Sequence, residues 1–192
     1  MQADFFATGA SKVVSEPRPV PSRVSREHIN SFAEQLAASL DFGPGDSIEP
    51  LVKKLGGKIA YKNPVEYKSR LPESIIIRKM DDFTIFLPSM TSPERDRFTI
   101  AHELGHLMLH YPLVLRNHRN AVMAATRWVD ETDQDQQRAE WEANWFAAGF
   151  LMPCKPFSKA YRDAKGNLSM VALKFGVSQP AAEVRAKSLH LK

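Results

Sequence analysis

Residues 97–110 read Arg-Phe-Thr-Ile-Ala-His-Glu-Leu-Gly-His-Leu-Met-Leu-His and contain an H-E-x-x-H motif at His102, Glu103 and His106. In a helix, residues i and i+4 share one face about 6 Å apart, so both imidazoles can reach one metal ion. Glu103 is rotated off that face, yet it can approach a water at the ion's open position and take its proton. The motif therefore predicts zinc held by His102 and His106, with Glu103 as the general base.

The helix that carries the motif is expected to be buried, because it is apolar almost all round. Its apolar residues are Phe98, Ile100, Ala101, Leu104, Leu107, Met108 and Leu109. Buried imidazoles and a carboxylate without partners are costly, and a cation would supply the partner. The alternative is a pair of core histidines that bond to backbone carbonyls. Gly105 costs about 1 kcal/mol relative to alanine in mid-helix. We therefore expect another element to approach it closely.

The ends of this helix also have sequence signals. Thr91 and Glu94 form a capping box with Pro93 in the first turn, and the helix is expected to run to about His110 and end at Pro112. His110 lies two turns beyond His102, about 12 Å along the axis, so both cannot bind one ion. It is expected to support the site, serve a structural role or contact the edge of the cleft.

The third metal ligand must come from elsewhere, because Leu109 and Pro112 stand where the long metzincin pattern needs a glycine and a histidine. A predicted helix over residues 134–152 offers Glu140 and Glu142. Periodicity does not choose between them. Glu142 shares its face with Trp145, Phe146 and Gly149, and Glu140 shares its face with Ala143, Asn144 and Ala147. A carboxylate between aromatic residues has the greater need of a partner, which favours Glu142.

The remaining pattern predicts an α+β fold. Two helices follow Ser25, and short β-branched strands, which include residues 74–78 and 83–87, then form a small, mainly antiparallel sheet. Residues 112–133 are expected to be irregular or weakly helical. We divide the chain into a flexible arm (1–25), a zinc metallopeptidase domain (26–165) and a helical, helix-turn-helix-like C-terminal segment (166–192).

Composition limits the classes of protein. The chain has 192 residues, a net charge of +4 and one cysteine, Cys154. No internal disulfide can form, and the small positive charge does not indicate nucleic-acid binding. We find no export signal and no apolar stretch near the roughly 18 residues of a membrane span, and we expect a cytoplasmic protein.

Two blocks of sequence, residues 97–110 and 140–153, resemble the ImmA/IrrE family of metallopeptidases, and the resemblance extends over about residues 26–190. It implies a zincin-like, minimal gluzincin fold in which the Glu-Ala-Asn segment supplies the third zinc ligand. That ligand corresponds to Glu142. The spacer from His106 to Glu142 is longer than usual in the family, and Gly149-Phe150 stands where a leucine-rich pair is commoner.

The resemblance also implies a partner. Similar proteins occur beside helix-turn-helix repressors in phage-like elements, stress-response loci and toxin–antitoxin-like pairs, and some cleave the repressor. We therefore expect a zinc-dependent regulatory endopeptidase that acts on a repressor or antitoxin. The alternatives are a non-proteolytic zinc-containing regulator and a toxin-like partner.

Two features leave alternatives open. Residues 168–189 have a helix-turn-helix rhythm with Arg185 and Lys187 on the second helix, yet Gln179-Pro-Ala-Ala offers few base-reading groups. A helical cap on the peptidase fold is therefore favoured over a DNA reader. The oxyanion-stabilising residue is not determined by the sequence. Its candidates are Tyr61, Tyr67, Tyr111, Tyr161 and His118.

Overall fold

The computed structural model describes residues 17–62, 73–126, 130 and 132–192, and these residues form an α+β fold. The helices are α1 (Arg26–Ser39), α2 (Ile48–Lys54), α3 (Pro93–Gly105), α4 (Tyr111–Asn117), α5 (Gln134–Leu151), α6 (Cys154–Asp163), α7 (Leu168–Phe175) and α8 (Gln179–Ser188). The strands are β1 (Gly57–Lys62), β2 (Glu73–Lys79), β3 (Asp82–Pro88) and β4 (Met123–Thr126).

The four described strands form one small sheet in the order β1-β3-β2-β4. Strand β3 pairs parallel with β1 and antiparallel with β2, and β2 pairs antiparallel with β4. The predicted fold class, a mainly antiparallel sheet with helices, is confirmed. Alternate residues of β3 are buried (Phe83, Ile85 and Leu87), so one face of the sheet covers the hydrophobic core.

Strand β4 was not anticipated, because residues 112–133 were expected to be irregular or weakly helical. Its four residues, Met-Ala-Ala-Thr, have little intrinsic strand preference, and the pairing with β2 specifies the strand. The register between β2 and β4 shifts between Glu73 and Ile75. The bulge turns the side chain of Ser74 into the protein, where it is buried.

Helix α3 begins one residue later than the capping box predicted. The N-cap is Ser92, whose hydroxyl accepts a hydrogen bond from the backbone N–H of Arg95. Thr91 instead contacts the carboxylate of Asp96 and the carbonyl of Pro88. The prediction of Thr91 as the cap was wrong because the two neighbouring residues have equivalent side chains, and backbone geometry selects between them.

The prediction that Pro112 ends the helix was also wrong. A π-helical turn occupies residues 106–110, and α4 continues to Asn117 with Pro112 in its first turn. Proline lacks an N–H and clashes with the carbonyl four residues earlier in a regular helix. The wider π turn accommodates it. This turn places His106 and His110 beside one another.

The close approach expected at Gly105 is confirmed. A Cβ atom added there would lie 3.0 Å from Ala143 Cα and 3.2 Å from Phe146 Cβ, both on α5. Helix α5 in turn packs against α1, where a Cβ on Gly149 would lie 2.9 Å from Asn30 Cα. Helix α5 is therefore fixed between α1 and α3, with little freedom to rotate about its axis.

The described part of the N-terminal arm, residues 17–25, lies against α5 and β4. Pro19 and Pro21 are buried. The carbonyl of Pro17 accepts a hydrogen bond from the Ala124 N–H (3.2 Å), and the carbonyl of Pro19 accepts one from Gln136 Nε2 (3.1 Å). The remainder of the arm lies outside the described residues. Among the described residues, no helix is long and apolar enough to cross a membrane.

Candidate metal centre

Three side chains converge on one point between α3 and α5. Glu140 Oε2 lies 3.1 Å from His102 Nε2, Glu140 Oε1 lies 3.2 Å from His106 Nε2, and the two Nε2 atoms are 3.1 Å apart. Ligands about 2.0–2.1 Å from a tetrahedral ion lie about 3.3 Å from one another. The three groups therefore have the spacing of a zinc ligand set, and they can hold one ion.

The hydrogen bonds available to His102, His106 and Glu140 explain why a cation fits between them. His102 Nδ1 lies 3.0 Å from Asn144 Oδ1, an acceptor, so Nδ1 carries a proton. His102 Nε2 then faces His106 Nε2 and the Glu140 carboxylate. A proton on the Nε2 atom of either histidine can form a hydrogen bond with only one of the other two groups. A cation would bind both Nε2 atoms and the Glu140 carboxylate. The donor set of two imidazoles and one carboxylate suits zinc.

The ionisation of the cluster follows from burial and contact. Burial is the main cause that lowers the pKa of His106 to about 4, against the raising effect of Glu140. Burial lowers and Glu140 raises the pKa of His102, with a net increase. Burial alone would raise the pKa of Glu140, but the hydrogen bonds with the two histidines outweigh it and lower its pKa. A neutral His106 and an ionised Glu140 are the forms that bind a cation.

Glu103 lies beside the ligand cluster and is buried. Ser74 Oγ lies 3.1 Å from Glu103 Oε2 and 3.2 Å from the carbonyl oxygen of Ala125, so its hydroxyl can donate to the carboxylate. The β2 bulge puts Ser74 in this position. A cavity of about 190 Å³ opens on the site, lined by Ser74, Phe98, Thr99, His102, Glu103, Thr126, Glu140 and Asn144. Glu103 and the metal cluster thus face the same space.

The structure does not bring Glu142 to the histidines of the motif, contrary to the expectation that it is the third ligand. Its carboxylate accepts hydrogen bonds from Arg138 Nε (2.8 Å) and from the backbone N–H groups of Ser22 (2.7 Å) and Arg23 (2.8 Å). His110 Nε2 lies 3.2 Å from the same carboxylate. Burial alone would raise the pKa of Glu142, but the bonds from His110, Arg138 and Ser22 lower it to about 2.

The physical reason for this correction is the supply of hydrogen-bond donors. A carboxylate among aromatic residues needs a partner, and Glu142 is fully buried. Four donors satisfy that need without a cation. One signal in the sequence does point to Glu140 as the third ligand. Asn144, one turn after Glu140 on the same face, holds His102.

The four oxyanion candidates among the described residues do not line the cavity at the metal cluster. Tyr67 lies outside the described residues. The hydroxyl of Tyr111 donates to the carbonyl of Arg78 (2.7 Å), and Tyr61 is 61% exposed. Tyr161 and His118 are also absent from the lining of this cavity, as far as the described residues define it. The polar groups that do line it beside the ligands and Glu103 are Ser74, Thr99, Thr126 and Asn144.

A larger apolar cavity adjoins the metal cluster. Its volume is about 460 Å³, and Phe98 and Asn144 line both cavities. Its walls include Trp141, Trp145, Met152, Pro180, Ala181 and Val184. Trp141 is 53% exposed and Val184 is 67% exposed, so a ligand can enter the cavity from solvent.

The second helix of the C-terminal pair contributes to this cavity and to the core. Arg185 is buried and donates to the Met152 carbonyl (2.9 Å), Asn30 Oδ1 (2.6 Å) and Glu34 Oε1 (2.9 Å). Pro180, Ala181 and Val184 face the apolar cavity. Helix α8 thus ties α1 to the region after α5, and Arg185 is engaged within the protein.

The fold and the site define a metallopeptidase-like α+β protein with an H-E-x-x-H helix. Residues 77–187, more than half of the chain, match the model of the Peptidase M78 family, the IrrE N-terminal-like domain. The chain belongs to this family, and the resemblance seen in the sequence is confirmed.

A solved structure shares the fold. A Mycobacterium tuberculosis transcriptional regulator superposes with a TM-score of 0.59 at 16% sequence identity, over 83% of this chain and 55% of the regulator. The chain therefore matches little more than half of that protein's length. No curated protein matches this chain in sequence.

Proposed function

We propose that this protein is a zinc-dependent endopeptidase that cleaves a protein partner, and that the partner is a helix-turn-helix transcriptional repressor. The observation that carries the proposal is the cluster of His102, His106 and Glu140, whose ligand atoms lie 3.1–3.2 Å apart next to Glu103. Membership of the Peptidase M78 family supports the peptidase part. The fold shared with a transcriptional regulator supports the regulatory part.

The chain's own residues have distinct roles in the proposed reaction. Zinc bound by His102, His106 and Glu140 would supply a Lewis acid and lower the pKa of a bound water. Glu103 takes the proton of the attacking water and passes it to the leaving amine nitrogen. Ser74 holds the Glu103 carboxylate through its hydroxyl, 3.1 Å away. Asn144 orients the ring of His102.

The cavities next to the site support a peptide substrate. The apolar cavity of about 460 Å³ shares Phe98 and Asn144 with the space in front of Glu103. A chain whose scissile bond lies at Glu103 could place an apolar side chain against Trp141 and Val184. Polar ends and apolar walls in one cleft are typical of sites that bind amphipathic ligands such as peptides.

The proposal is tested with two substrates. Zinc-loaded protein should cut its cognate helix-turn-helix repressor at one site and should digest casein slowly, as followed by gel electrophoresis and mass spectrometry. A single domain offers limited surface for a long substrate groove, and selectivity then depends on partner contacts. Rapid casein digestion would instead indicate a general peptidase.

The non-proteolytic regulator and the toxin-like partner predict a different result. Under either alternative the repressor or antitoxin would bind tightly to wild-type protein and to Glu103→Gln protein, and neither form would cleave it. Isothermal titration with both forms, together with the cleavage assay, separates these alternatives from the endopeptidase.

Direct DNA reading is the least favoured alternative, because Arg185 is buried and bonded within the protein. Positions 180, 181 and 184 of α8 carry apolar side chains that line a cavity, where a recognition helix would need polar groups. We expect only non-specific affinity for duplex DNA, with a Kd of about 1 µM or weaker at physiological salt. Fluorescence anisotropy that revealed a nanomolar, sequence-specific site would contradict this prediction.

A further inference from the structure

We propose that Glu142 and His110 are positioning residues for the metal centre: they hold His106 with its proton on Nδ1 and its Nε2 free to bind zinc, and the backbone of Ser22 and Arg23 fixes Glu142 in place. The inference rests on the proposed zinc site and goes beyond it. It links the N-terminal arm to a metal ligand through a row of buried hydrogen bonds.

The first step is the contact between Glu142 and His110. Both side chains are fully buried, and His110 Nε2 lies 3.2 Å from Glu142 Oε2. An ionised carboxylate can only accept hydrogen bonds, so the proton of this contact belongs to His110 Nε2. In a neutral imidazole the other nitrogen, Nδ1, then carries a lone pair.

The contact between His110 and His106 sets the position of the proton on the metal ligand His106. His106 Nδ1 lies 3.0 Å from His110 Nδ1, and both rings are buried. When the His110 ring is neutral, its Nδ1 accepts this hydrogen bond and His106 Nδ1 donates it. The lone pair of His106 is therefore on Nε2, the atom that faces His102 and Glu140. A ligating histidine usually donates its second N–H directly to a carboxylate or a carbonyl. Here an intervening histidine connects it to the carboxylate.

The third step is the anchoring of Glu142. Consecutive backbone N–H groups, from Ser22 and Arg23, donate to its two oxygens at 2.7 and 2.8 Å. Arg23 has a φ of 57°, in the left-handed region, which turns the backbone at this point. Arg138 bonds to the same carboxylate (2.8 Å) and to the carbonyl of Val24 (2.7 Å). The arm and α5 thus hold Glu142 from two sides.

The experiment measures zinc affinity by competition with a chromophoric chelator in the full chain. Glu142→Gln and His110→Phe should each lower zinc affinity about 10- to 100-fold, the usual effect of removing a group that orients a ligand. Glu34→Gln is the matched control, since it breaks the ion pair with Arg185 (2.9 Å) away from the metal. It should leave zinc affinity unchanged. Glu142→Gln affinity within about twofold of wild type, or an equal loss in the control, would overturn the proposal.

Ring-nitrogen NMR gives a readout that a general loss of stability would not produce. In zinc-loaded wild-type protein, ¹⁵N shifts should show His106 protonated at Nδ1 and His110 protonated at Nε2. Protonation of His110 at Nδ1 alone would reverse the order of the hydrogen bonds and refute the proposal, even if cleavage is observed. Conversely, the predicted tautomers together with tight zinc binding would support the positioning role of Glu142 and His110 even if no substrate is cleaved. A wild-type protein without zinc affinity would contradict both proposals.

The contribution of the arm is tested by substituting Ser22. Ser22→Pro removes the backbone N–H that donates to Glu142 Oε2 (2.7 Å) and the hydroxyl that accepts from the Val24 N–H (3.2 Å). Zinc affinity should fall by a smaller factor, about two- to tenfold, because one of several bonds to the carboxylate is lost. Val20→Pro, in the same arm, is the control and should have no effect. Equal affinities of the two variants would remove the arm from the proposal.

Discussion

Glu103→Gln should lower kcat for cleavage of the repressor by about 10²–10⁴-fold, the range that general-base catalysis contributes. The amide has nearly the same size as the carboxylate and can still accept a hydrogen bond from Ser74, but it cannot take a proton from water. Zinc content should remain near one ion per chain, because the three ligands are untouched. Single-turnover assays and metal analysis of the same samples provide the measurement.

A matched control for this variant is Glu94→Gln on the same helix. Glu94 is exposed near the start of α3, outside the cavity, so the identical chemical change should leave kcat unchanged. If Glu103→Gln kept more than about a tenth of wild-type kcat, Glu103 would not be the general base. A variant that lost its zinc together with its activity would point to a role in building the site.

The second large effect is expected at Glu140. Glu140→Gln should weaken zinc binding roughly 10²–10³-fold, since a zinc site worth about 10–16 kcal/mol over four ligands loses about 3 kcal/mol with one ligand. His102→Ala and His106→Ala should lose zinc as well and serve as references. Chelator competition in parallel samples is the measurement.

The comparison that decides the ligand is between Glu140 and Glu142, which are two residues apart. Glu140→Gln should cost more zinc affinity than Glu142→Gln, because the first residue touches the ion and the second acts through His110. A greater loss of zinc affinity in Glu142→Gln than in Glu140→Gln would identify Glu142 as the third ligand. It would also require a different packing of α5. Equal free energies of unfolding of the two metal-free variants would exclude a difference in folding as the cause.

The positions of the two motif histidines follow from local sequence pattern alone. H-E-x-x-H on an apolar helix needs only the period of that helix to place His102 and His106 together, and local geometry supplies that period. The β-branched segments around residues 74–78 and 83–87 predicted strands for the same reason, because their pattern is local. Gly105 predicted a close neighbour, and Ala143 on α5 is that neighbour.

The residue that α5 contributes to the metal site depends on how this helix packs against its neighbours. Residues two apart on a helix point about 200° away from each other, so Glu140 and Glu142 cannot both face α3. The choice depends on the rotation of α5 about its axis. Packing of Ala143 on Gly105 and of Gly149 on Asn30 fixes that rotation. None of these contacts is encoded in the period of α5 itself.

Contacts between distant segments also explain the other features that local sequence pattern did not predict. Strand β4 exists because β2 offers it a partner, and Arg185 is buried because Asn30 and Glu34 of α1 lie within reach. Glu142 keeps its charge in the interior because the arm supplies two N–H groups from about 120 residues earlier in the chain. Local pattern thus determined which groups can do the chemistry. Contacts between distant segments decided which carboxylate joins the histidines and which one supports them, since a buried charge is stabilised only by the donors that folding brings to it.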